Sequence, residues 1–259
     1  MRLTALVPRI AAGCAFLLPA IALAVLSDKI EVDEGDVAKP GELGVKVHLN
    51  TTPSGSSVPV FEGEIPAQHA WRFAPEITYG IAPDVEIGAT LPWVHSPAGG
   101  NRSAGMRAAV KWNPVHPDGD GGLTAAIQFE YGWISSRFEQ ETRVLDVTPV
   151  LAWRDADWRL AFNPGLMAAL AGPDKGSRPR FDPALKVARH LGGGWWIGPE
   201  YYGSLGPLGD FLPASQQSQA LYLAVDLDRE PWAFNFGIGR GLNAVTDRWT
   251  VKAIVEVPF

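Results

Sequence analysis

Histidine and serine side chains are the residues of this chain whose types could support hydrolytic or metal chemistry. Of the five histidines, His48, His69 and His95 fall near the ends of three successive predicted strands, and Ser96 follows His95. A serine or an activated water beside a histidine could hydrolyse a lipid ester. However, strand alternation directs His48 to one face and His69 and His95 to the other, and no motif spacing links them. We therefore predict no catalytic residue, no metal site and no cofactor.

Charged side chains form the second set of candidate functional residues. Strand alternation places them on one common face, with positive and negative charges nearly balanced and interleaved between neighbouring strands. Such a set either forms ion pairs that fill an interior or lines a polar passage that orients a solute. The predicted lining residues are Lys46, Arg72, Glu76, Glu86, Arg107, Lys111, Glu130, Asp146, Arg159, Asp182, Lys186, Glu200, Asp226, Lys252 and Glu256. The hypothesis for the passage centres on Arg72, Glu76, Glu86, Arg107, Lys111 and Glu130.

The strands that must position these residues can be recognised in the sequence, because apolar and polar side chains alternate along them with a period of two residues. The last segment shows it most plainly, because every second residue from Trp249 to Phe259 is apolar. Alternation with this period indicates half-buried β-strands. It predicts about twelve strands, at 43–51, 69–80, 84–94, 103–113, 121–134, 143–154, 157–170, 179–190, 194–206, 217–228, 231–241 and 247–259. Prolines inside several of these segments count against ideal hydrogen-bonded ladders, namely Pro75, Pro92, Pro149, Pro164, Pro183 and Pro199.

Strand length, loop length and tryptophan position together favour a transmembrane barrel. The strands have the roughly 9–14 residues that a tilted strand needs to cross a bilayer. Short and long connections alternate, as in outer-membrane barrels with an even strand number. Ten tryptophans are many for this length, and most fall near strand ends, where aromatic belts are expected. A soluble sandwich alternates similarly but explains neither the belts nor the loop lengths. We predict an all-β, antiparallel, up-and-down transmembrane β-barrel of about twelve strands.

The N-terminus predicts export from the cytoplasm. Residues 1–24 carry Arg2 and Arg9, an apolar run and a small-residue cleavage site ending at Ala24, which is typical of a signal peptide. Removing it leaves no cysteine, because Cys14 is the only one, and changes the formal net charge from −6 to −6 − 2 = −8. An acidic chain does not suggest nucleic-acid binding. We expect a signal peptide at 1–24, an acidic periplasmic lead-in at 25–41 and the barrel at 42–259.

The last strand also resembles a known signal. Its terminal aromatic, with Trp249, Val255, Val257 and Phe259 on the apolar face, is similar to the signal that the bacterial outer-membrane assembly machinery reads. This resemblance implies that machinery as a partner and the outer membrane of a Gram-negative cell as the location. Outer-membrane lipids would then contact the apolar face.

Several segments resemble one family of proteobacterial outer-membrane proteins. They are GELGVKVHLN, APEITYGIAPDVEIGATLPW, PALKVARHLGG, GPEYYGSLGPL and FNFGIGRGLNAVTDRWTVKAIVEVPF. They are similar to the barrels grouped as the MetA-pathway of phenol degradation family, and the likeness covers most of the chain after residue 24. The resemblance implies a porin-like barrel, uptake of small organic solutes and no catalytic residues.

The predicted function is a narrow passive or selective channel for small solutes. Two alternatives stay open at this point. One is a largely plugged barrel with a structural or interaction role, in which the charged residues form a stiffening network. The other is an outer-membrane lipid-modifying enzyme that uses the histidines near one rim.

Overall fold

The computed structural model describes residues 28–117, 119 and 121–258, and all regular structure among them is β-strand. Among these residues, no helix is long and apolar enough to span a membrane. The strands are β1 (Leu43–Ser54), β2 (Trp71–Ala82), β3 (Val85–Thr90), β4 (Trp93–Ser96), β5 (Gly100–Ser103), β6 (Gly105–Val115), β7 (Gly122–Ile134), β8 (Arg143–Arg154), β9 (Trp158–Ala171), β10 (Arg180–Gly192), β11 (Trp195–Ser204), β12 (Ser218–Arg229), β13 (Trp232–Gly241) and β14 (Trp249–Pro258).

The strands form one closed antiparallel barrel. Chain neighbours pair around the wall, and β1 closes it by pairing with β2 on one side and β14 on the other. β3 and β4 are two pieces of one wall strand, because both pair with β2; β5 and β6 likewise continue one another, so fourteen segments make 14 − 2 = 12 wall strands. The predicted up-and-down barrel of about twelve strands is therefore confirmed.

The two ends of the barrel differ in the length of their connections. The end that we name the loop end carries residues 55–70, 97–99, 135–142, 172–179, 205–217 and 242–248. The opposite end, named the turn end, carries 83–84, the described residues 116–117, 119 and 121, and 155–157, 193–194 and 230–231. The prediction of a long loop at 95–102 is wrong. β4 and β5 instead form a hairpin that extends the wall, with a turn at 97–99.

The prolines lie where the hydrogen-bonded ladders are interrupted. The β8–β9 ladder skips from the pair Val147–Leu166 to the pair Leu151–Phe162, and Pro149 and Pro164 fall in that gap. Pro199 falls in a similar gap of the β10–β11 ladder, and Pro92 separates β3 from β4. Proline cannot donate to a ladder, so a gap accommodates it without an unpaired partner.

The outer surface of the wall is apolar. Large hydrophobic side chains stay exposed along the strands; Ile77 is 53% and Leu223 is 61% exposed. Nine of the ten tryptophans are exposed too, near the two ends of the barrel, and only Trp196 is buried. An apolar band flanked by aromatic girdles suits hydrocarbon between two headgroup layers. An apolar patch of this size is unusual on a protein surface that faces water.

The loop end is partly covered by its own loops. Ile65 and Ala67 of the loop after β1 pack with Phe138 of the loop after β7 and with Val94 of β4. The N–H of Ile65 also donates to the carbonyl of Arg137, over 2.8 Å. This apolar cluster holds two loops over the β4–β5 side of the barrel.

Candidate functional site: the lumen and the N-terminal segment

Residues 28–40, here named the N-terminal segment, lie extended inside the barrel. Pro40 bridges to Gly80 near the turn end, and Asp28 reaches the level of Asn50 on β1, nearer the loop end. From the sequence, we predicted a periplasmic lead-in at 25–41. The structure instead places the described part of it in the lumen, because the wall supplies partners for its charges and backbone. Residues 25–27 and the predicted signal peptide at 1–24 lie outside the described residues.

Three wall asparagines pair with the backbone of the N-terminal segment. Asn50 donates to the carbonyl of Asp28 over 2.9 Å, and Asn113 donates to the carbonyl of Gly35 over 2.8 Å. Asn163 both donates to the carbonyl of Asp33 and accepts its N–H. An extended strand without a neighbour leaves buried backbone groups unpaired, at a substantial cost. These amides take the place of a neighbouring strand.

Ion pairs fix the acidic side chains of the segment to different wall strands. Glu31 lies 2.8 Å from Lys46 on β1, Asp33 lies 2.8 Å from Lys111 on β6, and Glu34 lies 2.7 Å from Lys186 on β10. Asp28 contacts Arg107 over 3.4 Å. Buried ion pairs hold only when each charge keeps its partner, so this arrangement specifies one position for the segment.

Apolar and small residues complete the fit of the segment. Val32 is buried against Ala152 and Ala161, on the two neighbouring strands β8 and β9. Gly35 has φ +91°, and a Cβ there would come within 2.6 Å of Thr124 Cγ2. Only glycine meets both conditions without strain. The segment is thus packed closely against the wall.

The structure places all fifteen predicted lining residues on the inner surface. Fourteen line the main cavity, and Arg107 lines a smaller one. Of the six residues at the centre of the passage hypothesis, Arg107 pairs with Glu130 over 3.2 Å and Lys111 with Glu86 over 3.5 Å. Lys29 joins Glu76 and Glu130, a contact that the sequence analysis missed. Their role in solute passage remains a prediction.

Two of the cavities in the described part of the chain lie beside the N-terminal segment. The main one has a volume of about 890 Å³ and is lined from Thr246 and Asp247 at the loop end to Arg229 and Trp232 at the turn end. The smaller one, of about 180 Å³, lies between Arg107, Glu139 and their neighbours near the loop end. The lumen is therefore narrowed, and space remains along the segment between the two ends.

Two acidic residues in loops beside the lumen have raised pKa values. Burial raises the pKa of Glu139 to about 7, although Arg107 and Arg180 act in the opposite direction. Burial also raises the pKa of Asp247, with Arg72 again opposing the shift. Both carboxylates lie in loops at the loop end, so this mouth of the barrel changes charge near neutral pH at Glu139.

Lys252 of β14 is the centre of a second group of interior contacts. It bonds Glu200, and its ammonium donates to the carbonyl of Ile30 and to the hydroxyl of Tyr202, each over 3.1 Å. Tyr202 in turn donates to Glu200 over 2.7 Å. Sequence alternation located Lys252 and Glu200 inside, but the tyrosine and the backbone carbonyl gave no charge signal and were missed.

The histidines considered for catalysis do not converge. His48 is fully buried and its Nε2 lies 3.2 Å from Glu76, whereas His69 and His95 are exposed. Ser96 is buried and therefore lies on the face opposite to His95, which contacts Asn101 over 2.7 Å. Within the described ranges no group of three or more histidine, cysteine, aspartate or glutamate side chains could hold a metal ion. Among the described residues, these contacts do not join His48, His69, His95 and Ser96 into one group.

The predicted assembly signal is only partly described. Val255 and Val257 of β14 pair with Val47 and Val45 of β1, so they stand in the seam that closes the barrel. Trp249 is exposed at the loop end of the same strand. Phe259 lies outside the described residues, and the recognition of this strand during assembly remains a prediction.

Comparison with known proteins supports the fold. No family model and no curated protein sequence matches the chain, so membership of the phenol-degradation family stays a prediction. Among solved structures, an outer-membrane channel from Pseudomonas putida F1 superposes with a TM-score of 0.57 at 10% identity, covering 89% of this chain and 100% of the channel. The KdgM porin superposes with a TM-score of 0.52 at 8% identity, covering 83% of this chain and 99% of the porin. At these identities the likeness shows the barrel fold alone.

Proposed function

We propose that this chain is an outer-membrane channel that passes small solutes through a lumen narrowed by its own N-terminal segment. The main cavity carries the proposal, because its lining runs from Thr246 at the loop end to Trp232 at the turn end. The apolar exterior with its aromatic girdles supports a place in a bilayer, with the short turns on the periplasmic side. Two solved barrels with a similar fold are named as a channel and a porin, which is consistent with this function.

The lining of the cavity favours small polar or amphiphilic organic solutes. Both signs of charge and several tyrosine and threonine side chains face the space, so a polar solute finds donors and acceptors along its path. The N-terminal segment occupies part of the cross-section, which limits the size of what can pass. We also propose that lipids cover the outer wall and that the assembly machinery binds β14.

Ion conductance in planar bilayers tests the channel. The protein starting at residue 25 is compared with a variant starting at residue 40, which lacks most of the N-terminal segment. The seam between β1 and β14 involves no residue of that segment, so we expect the shorter barrel to close. We predict small, steady conductance steps for the longer protein and steps several-fold larger for the shorter one. Loss of the heat-dependent gel shift of folded barrels would mark a folding failure.

A second candidate function is a closed barrel with a structural or interaction role. The ion pairs of the N-terminal segment favour it, since Glu31, Asp33 and Glu34 are each held by a wall lysine. This candidate predicts no conductance above the bilayer background for the longer protein, together with a clear conductance when the segment is removed. If the longer protein folds correctly but gives no conductance above the background, the channel proposal is rejected.

A further inference from the structure

Arg72 of β2 differs from the other cations inside the barrel. The residue is 3% exposed, and its Nε and Nη2 have no hydrogen-bond partner within the part of the chain that the structure describes. The six other predicted lining cations each pair with a carboxylate within 4.0 Å: Lys46, Arg107, Lys111, Arg159, Lys186 and Lys252. Among the described residues, Arg72 has no such pair.

The carboxylates that interact electrostatically with Arg72 lie beyond the 4.0 Å of an ion pair. Asp247 and Asp28 both act on its charge, but neither forms an ion pair with it. Asp28 is paired with Arg107, and Asp247 accepts the backbone N–H of Ser56 over 3.2 Å. A buried guanidinium with unpaired N–H groups is costly to stability. An acceptor that is not part of the wall would relieve this cost.

The main cavity leaves room beside Arg72. Arg72 lines the main cavity with Tyr222, Thr250 and Asp247, in its loop-end half. Asn50 stands level with Arg72 on the neighbouring strand β1, and its side-chain oxygen is also buried without a partner. The guanidinium therefore lies beside space that a solute can enter. Its Nε and Nη2 each expose under 1 Å², so a local shift of side chains must open them to that space. Asn50 Oδ1 is an acceptor, so it competes for the N–H groups of Arg72 and does not itself bind a carboxylate.

We propose that Arg72 binds the carboxylate group of a small organic anion inside the loop-end half of the lumen. The planar guanidinium presents N–H groups in a fork that matches the two oxygens of a carboxylate. The inference rests on the proposed function in one respect only, namely that solutes enter the lumen. It names their chemical class as organic acids rather than neutral or cationic molecules.

Equilibrium binding in detergent micelles tests the inference without requiring conduction. Benzoate is the probe, and benzamide is its neutral counterpart of nearly the same shape. We expect the wild-type barrel to bind benzoate more tightly than benzamide, as measured by titration calorimetry. Arg72→Gln should lower the benzoate affinity at least about tenfold, the usual loss of a charge-assisted hydrogen bond. Arg72→Lys keeps the charge without the fork and should give an intermediate loss.

Two further variants serve as controls. Lys46→Gln removes a cation of the same cavity that is already paired with Glu31, so benzoate affinity should stay within about twofold of the wild type. Asp247→Asn removes the opposing carboxylate and should strengthen benzoate binding. Because Arg72 forms no ion pair within 4.0 Å among the described residues, Arg72→Gln should melt near or above the wild-type temperature. If that variant nevertheless failed to fold, Arg72→Lys would decide the question.

Equal affinity of the wild type for benzoate and benzamide would overturn the inference, as would unchanged benzoate affinity in Arg72→Gln. Its failure can be told apart from failure of the channel. A barrel that binds benzoate through Arg72 but gives no conductance rejects the channel alone. A barrel that conducts but does not prefer the anion rejects the Arg72 site alone.

Discussion

Asn163 on β9 holds the backbone of Asp33 with both groups of its side-chain amide. The N–H of Asp33 donates to Asn163 Oδ1 over 2.7 Å, and Asn163 Nδ2 donates to the carbonyl of Asp33 over 2.9 Å. This is the pattern that one residue of a neighbouring strand would offer. The side chain of Asp33 then pairs with Lys111, so one residue of the N-terminal segment joins β9 to β6.

Replacing Asn163 tests how strongly this contact fixes the segment. Asn163→Leu should lower the free energy of unfolding by about 2–3 kcal/mol, because it leaves two buried backbone groups of Asp33 without partners. Urea-induced unfolding in lipid vesicles, followed by tryptophan fluorescence, measures the change. Asn101→Leu serves as the control, since Asn101 is exposed on β5 and touches no part of the segment. An equal loss in both variants would contradict the strand-like role of Asn163.

The acidity of Glu139 makes stability depend on pH. Burial raises its pKa from 4.5 to about 7, so the folded protein binds its proton more tightly than the unfolded chain does. Stability is therefore highest at low pH with respect to this group, and it falls as pH rises from 4.5 through 7. The loss should reach up to about 3 kcal/mol between about pH 5 and about pH 8.

Glu139→Gln should remove this part of the pH dependence, because the amide does not titrate. Urea unfolding of both proteins at the two pH values gives the measurement. The variant should be as stable as the wild type at the lower pH and more stable at the higher pH. If the stability of the variant changes with pH as much as that of the wild type, other groups cause the pH dependence.

The ring of Tyr222 lies over Gly239 of the neighbouring strand β13. A Cβ at Gly239 would come within 2.2 Å of Tyr222 Cζ, and the ring is also held edge-to-face against Tyr202 at 5.2 Å. Gly239→Ala should therefore cost about 1–3 kcal/mol through overpacking. Gly88→Ala on β3 is the matched control, because its nearest contact would be an ordinary 3.4 Å to Thr78. The double variant Gly239→Ala with Tyr222→Ser should recover part of the loss, and a lack of recovery would locate the strain elsewhere.

Alternation along the chain was sufficient to predict the wall of the barrel, because each strand has one apolar and one polar face. It also oriented all fifteen charged residues inward, since parity within a strand fixes the face of each side chain. It failed at the hairpin of β4 and β5, where turn-forming residues at 97–100 indicated a loop while pairing across the hairpin extended the wall.

The position of the N-terminal segment could not be predicted from local pattern. Its acidic residues show no period, and their partners lie far away in sequence: Asp33 pairs with Lys111 and Glu34 with Lys186. The sign of a charge indicates that a carboxylate needs a cationic partner. It does not indicate which of the many lysine and arginine side chains that partner is. The isolation of Arg72 was equally hidden, since alternation gives the face of a side chain and not its partners.

A charge placed on the outer wall tests whether hydrocarbon covers it. Leu223 stands near the middle of β12 and is 61% exposed, whereas Leu191 stands near the turn end of β10 and is 63% exposed. In water, arginine at either position would have a similar and small effect. In a bilayer, Leu223→Arg should cost about 2–4 kcal/mol and Leu191→Arg about 0–1 kcal/mol, because only the first lies near the midplane. Urea unfolding in vesicles measures both, and equal costs would mean that the apolar band contacts something other than lipid.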